Sequence, residues 1–130
     1  TGPYVELQAS PTGVIFDASF RGRRQGMNVG FDAGQEVGTS RDGTLDDDRP
    51  DRGWTSEWVV PFARLPGVDG SPAPGAEWRM NAFRIEKHQR DGRLEAEYTA
   101  WSPPRIGDFH ALERFGRLRF GDGASGGQVR

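Results

Sequence analysis

Nineteen glycines and nine prolines punctuate a chain of 130 residues, roughly a fifth of the sequence, which leaves few uninterrupted stretches long enough for a stable helix. Nowhere does an apolar stripe recur at the 3.6-residue period of an amphipathic helix, whereas apolar and polar residues alternate at period two in several short runs. These features predict an all-β chain, an antiparallel β-sandwich of immunoglobulin-like or jelly-roll-like kind. A parallel α/β fold would need helices between its strands, and the sequence offers none.

The first run is Tyr4 to Ala9, in which Val5, Leu7 and Ala9 alternate with Tyr4, Glu6 and Gln8. A turn at Ser10-Pro11-Thr12-Gly13 leads to a second run, Val14 to Phe20, so the two read as a hairpin. Pairing Ala9 with Val14 would set Leu7 opposite Phe16 and place Gln8 and Asp17 together on the outer face. From Arg21 to Asp51 the pattern weakens, with room for one or two short strands. Gly53 to Phe62 forms the next strand, stopped by Pro61. A Pro- and Gly-rich connection over 66–75 follows, then strands at Glu77–Glu86 and Glu95–Trp101 joined by a turn at His88–Gly92, and a last strand at Gly116–Phe120. The reading gives one domain over 1–122 and a flexible, Gly-rich tail over 123–130.

A formal net charge of −2 provides no field to gather polyanions, so nucleic acid is not an expected partner. No apolar run approaches the roughly 20 residues that span a bilayer, and membrane insertion is not expected. Cysteine is absent, which removes thiolate metal sites, disulfides and cysteine nucleophiles. Arginine carries nearly all the basic charge, Lys87 being the only lysine, as in a GC-rich bacterial coding sequence. No phosphate-cradling loop ending in Lys and Ser/Thr and no His-Glu-x-x-His pair is present, so the chain does not read as an enzyme. No cofactor is expected. Calcium is the one ion that Asp46, Asp47, Asp48 and Asp51 would admit, but the spacing lacks the Gly and distal Glu of a calcium loop. A solvated acidic turn neutralised by Arg49 and Arg52 is the preferred reading. Of the two histidines, His88 falls in the polar turn, and His110, beside Phe109, is the better functional candidate.

Aromatic residues carry the remaining signal, because sugar rings stack their C–H faces on flat side chains while their hydroxyls seek planar polar partners. Most of the aromatics are needed for a core, and Trp54, Trp58 and Trp78 are assigned there.

Six segments in order carry a resemblance: Tyr4–Val14, Asp42–Leu45, Gly53–Phe62, Trp78–Glu86, Trp101-Ser102-Pro103, and Asp108-Phe109-His110 followed by Glu113–Gly116. Together they resemble the family 9 carbohydrate-binding modules and their DOMON-like relatives over about Tyr4 to Phe120. The resemblance implies a non-catalytic, extracellular or periplasmic domain that binds a carbohydrate ligand, its export signal lying outside this chain. It implies an aromatic wall at Phe109, where the family places Trp, with Gln8, Asn81 and Arg84 supplying polar contacts, and His110, beside Phe109, is taken with them as a sugar-binding candidate. Gln8 stands where the xylanase-type module has Arg, Asn81 keeps a matching Asn, and Arg84 lies near a binding Gln. The pattern begins in the middle of the family domain, so the remainder of a larger polypeptide is expected to supply the missing N-terminal strands. Two further readings follow from the same kinship: a structural accessory domain, or a haem-binding electron-transfer domain using Met27, Met80 or His110.

Overall fold

The computed structural model describes residues 2–45, 47 and 49–121; the expected tail over 123–130 lies outside them, as do Asp46 and Asp48 of the acidic loop. The chain is all-β and its strands pair antiparallel throughout. Eight strands are present among the described residues: β1 (Tyr4–Ala9), β2 (Ile15–Phe20), β3 (Glu36–Asp42), β4 (Gly53–Val59), β5 (Glu77–Met80), β6 (Phe83–Arg90), β7 (Arg93–Ala100) and β8 (Gly116–Arg119). Among the described residues helical structure is confined to two single turns, Phe62–Arg64 and Leu112–Arg114. No helix among the described residues is long and apolar enough to cross a membrane.

Contacts divide the chain into two compact units, Thr1–Gly70 and Ser71–Arg130, and the division falls inside the Pro- and Gly-rich connection. In the first unit β1 pairs with β2 and β3 with β4. The β1–β2 register differs by one residue from the expected one, since Ala9 lies opposite Ile15 and Gln8 opposite Phe16. Gly13 is the cause. Its φ of +83° admits it as a left-handed residue in a three-residue loop, closed by Gly13 N donating to Ser10 O and Ser10 N donating to Val14 O, both at 2.9 Å,. Because side chains alternate, this slip parts Gln8 from Asp17 and sends them to opposite faces.

Tyr4 stacks on Phe20 with ring centroids 4.6 Å apart, and Ala18, Phe20 and Ala33 are buried. Asp17 organises the segment after β2: its Oδ2 accepts from Ala33 N at 2.8 Å, and its Oδ1 accepts from Gln35 Nε2. Val29 and Phe31, within the weakly patterned segment, are not in strands. Among the described residues of that segment β3 is the one strand, beside isolated bridges such as Ser19 with Asn28.

In the second unit β5 pairs with β8 and β6 with β7. The sequence reads Glu77–Glu86 as one strand, but the structure cuts it at Asn81. The Asn81 amide acts as a piece of backbone, with Nδ2 donating to Ser102 O at 2.8 Å and Oδ1 accepting from Ser102 N at 2.9 Å and Ala82 N at 3.1 Å, so the chain leaves β8 before Asn81 and takes β7 as partner after it. The expected turn at His88–Gly92 shrinks to Asp91-Gly92, whose φ values of +51° and +73° suit a two-residue hairpin turn. His88, Gln89 and Arg90 consequently extend β6.

Candidate functional site: an aromatic face on the β6–β7 hairpin

The β6–β7 register sets Phe83, Ile85, Lys87 and Gln89 opposite Ala100, Tyr98, Ala96 and Leu94 on one face,. That face is apolar at the Phe83 end and carries two long polar side chains, Lys87 and Gln89, towards the turn. The opposite face holds Arg84, Glu86, His88 and Arg90 facing Thr99, Glu97, Glu95 and Arg93, a charged surface on which Arg84 pairs with Glu86 and Arg90 with Glu95, with His88 Nε2 3.6 Å from Glu95 Oε2.

Phe109 lies on the apolar face. It stacks on Phe83 with centroids 4.4 Å apart and planes 25° apart, and it meets Tyr98 edge-on at 5.6 Å. Phe115 closes against Phe83 from another side at 6.1 Å. The segment carrying Phe109 is fixed by its neighbours, with His110 N donating to Asp108 Oδ1 at 2.9 Å and Ala111, fully buried, donating its N–H to Asp108 O. Phe109 and His110 are half-buried. Tyr98 is 60 % exposed, and Ile85 and Leu94 beside it are 49 % and 68 % exposed. The arrangement is an aromatic step in which the more exposed Tyr98 ring meets Phe109 edge-on, bordered by amide and ammonium groups able to hydrogen-bond a polyol.

The other sequence-derived candidates do not gather on this face. Arg84 projects from the opposite side of the hairpin and pairs with Glu86. Asn81 spends its amide on Ser102 and Ala82. Gln8 belongs to the other unit, exposed on β1, where its Nε2 donates to Glu6 Oε1 at 2.6 Å. Tyr98, Lys87 and Gln89 were not singled out from sequence. Their signal is the shared parity of Leu94, Ala96, Tyr98 and Ala100, which becomes legible once the turn is reduced to two residues.

Met27 and Met80 are 54 % and 44 % exposed, so Met80 does not sit in a core. Among the described residues no group of three or more His, Asp or Glu side chains is arranged to hold a metal. In the acidic loop, Asp47 accepts from Arg49 Nε at 2.8 Å and from Thr44 Oγ1 at 2.7 Å; the Arg49 guanidinium first, then the Thr44 hydroxyl, holds its carboxyl below the ordinary range. Asp51 accepts from Thr44 N at 2.7 Å.

No family model matches the chain, and no curated protein or solved structure matches it either.

Proposed function

We infer that the chain is a non-catalytic carbohydrate-binding module, with the step formed by Tyr98 and Phe109 as its stacking surface. The observation that supports this most directly is the exposure of Tyr98 on a face where Phe83 and Phe109 hold the rings in place. A preorganised aromatic surface loses little side-chain entropy when a sugar ring lies on it. Lys87, Gln89 and His110 stand near enough in sequence and register to meet hydroxyls at its border. The resemblance to family 9 modules points the same way through Phe109 and His110, and it suggests an exported protein.

The test is titration calorimetry of the full chain with mono- and oligosaccharides, run beside urea unfolding of Tyr98→Ala and Phe109→Ala. Tyr98→Ala should weaken binding about tenfold, the equivalent of about 1–1.5 kcal/mol of stacking, with little change in stability. Phe109→Ala should do both, because Phe109 also packs on Phe83. Full affinity in Tyr98→Ala would remove the site.

A second reading, a structural domain completed by further polypeptide, is favoured by one specific observation. Among the described hydrophobic residues only Ala18, Phe20, Ala33 and Ala111 are buried, while Val14, Val29, Val59 and Leu94 are each more than 60 % exposed. Additional strands laid on these faces would supply the missing burial. An extended fragment of the parent protein that raises the melting temperature of this chain supports that reading; a series of longer fragments with no gain counts against it.

A further inference from the structure

The β5–β8 ribbon carries a charged face of nearly one sign, whereas the charged face of β6–β7 mixes acids and bases. Its register sets Arg79 directly opposite Arg117 and Glu77 opposite Arg119, so one face carries three guanidinium groups and a single carboxylate. Like charges facing each other across a strand pair destabilise it. Glu77 answers only part of this, reaching Arg117 at 3.7 Å. Arg79 Nη1 donates to Phe115 O at 3.0 Å, which fixes one end of its guanidinium without neutralising it. Neither Arg79 nor Arg119 has a carboxylate partner among the described residues, and Arg79, Arg117 and Arg119 are all exposed. The other face of the same ribbon is apolar, with Trp78 in edge-to-face contact with Phe120 at 4.8 Å. The arginines are therefore concentrated on one side by strand alternation rather than scattered.

The geometry points to an oxyanion-binding face that takes the acidic groups of a charged polysaccharide. Guanidinium forks match carboxylate and sulfate groups in pairs of hydrogen bonds. Neighbouring anchor points lie about 5 Å apart across the strands and about 7 Å apart along one strand, comparable with the length of one sugar ring. A glycan bearing one charge per ring would meet successive arginines, whereas duplex nucleic acid presents charges every ~1.7 Å and draws on a broad positive field that a chain of net charge −2 does not provide. The choice of a glycan over other polyanions rests on the carbohydrate reading above; the anion-binding face itself does not.

The experiment is affinity electrophoresis and fluorescence titration of the full chain against polygalacturonate, dextran sulfate, neutral dextran and a DNA duplex. The expected result is binding to an acidic glycan that falls about tenfold between roughly 50 and roughly 300 mM salt. Arg119→Gln and Arg79→Gln should each weaken it about fivefold. Arg119→Gln keeps every hydrogen bond described here, so loss of binding in that variant is not a folding effect. Polygalacturonate binding alone assigns carboxylate, and dextran sulfate binding alone assigns sulfate. Equal or tighter binding of the DNA duplex, no binding of either acidic glycan, or binding indifferent to both substitutions each overturns the proposal. Neutral-sugar binding lost in Tyr98→Ala but kept in Arg119→Gln leaves the carbohydrate reading standing if the acidic glycans fail. Acidic-glycan binding without any neutral-sugar affinity does the reverse.

Discussion

Gly116 opens β8, and a methyl group there would have nowhere to go. A Cβ built on Gly116 lies 2.7 Å from Trp101 Cη2 and 3.1 Å from Cε3, well inside contact distance. The backbone does not demand glycine, because Gly116 is not among the residues of positive φ. Any cost of Gly116→Ala must then come through the indole. Trp101 is 58 % exposed, so it has room to swing away, and the loss is the burial of its remaining two-fifths. For a side chain of about 200 Å2 that is about 80 Å2, or about 2 kcal/mol at 25 cal per Å2. Reduced freedom of the unfolded chain returns about 0.4–1 kcal/mol to an alanine, leaving a net destabilisation of about 1–1.5 kcal/mol. Urea unfolding followed by far-ultraviolet circular dichroism, on Gly116→Ala, Trp101→Ala and the double variant, isolates the pair. In the Trp101→Ala background Gly116→Ala should be neutral or slightly stabilising, a coupling of about 2 kcal/mol. Equal cost in both backgrounds would refute the argument, as the methyl group would then be clashing with something other than the indole.

Other substitutions test other joints. Asn81→Ala removes three hydrogen bonds and strands both backbone groups of Ser102, so it should cost about 2–3 kcal/mol in urea unfolding. Gly92→Ala puts a Cβ at a φ of +73° and should lower stability by about 1 kcal/mol, read by thermal melting, without altering sugar binding. Asp47 has a carboxyl held below its ordinary value by Arg49 and Thr44. Its contribution is therefore present above pH ~4 and is lost as pH falls through the lowered folded-state value. An NMR titration of the Asp47 carboxyl should show that low midpoint moving upward in Arg49→Gln.

What the sequence made legible was the alternation, and with it the class of fold and most strand positions. Register was harder. The residues of the first loop are the same in both readings, and only the left-handed φ of Gly13 decides whether Gln8 shares a face with Asp17 or with Phe16. Asn81 shows a second gap. It looks like a strand residue with a spare amide, and nothing in a linear pattern announces that Ser102, twenty-one positions on, will consume that amide. Phe109 was found through the resemblance, at the place of the family's aromatic wall, but its neighbours Phe83 and Tyr98 come from two strands whose pairing depends on a turn of two residues. Ionic arrangements were least visible. Arg79 and Arg117 are ordinary strand arginines until pairing sets them face to face.

The nesting of one ribbon inside another also orders events in time. β6 and β7 are joined by Asp91-Gly92 alone, so each rung forms next to one already made and the hairpin can close within microseconds. β5 and β8 are different, because joining Met80 to Gly116 encloses everything between them. That closure is entropically dear for an unstructured segment and much cheaper once the hairpin has shortened it. Folding of this unit should run from the inside outward, with Gly92→Ala slowing refolding and substitutions in β8 chiefly speeding unfolding. Stopped-flow refolding of the two variants would expose the opposite order at once if β8 substitutions were the ones that slowed it.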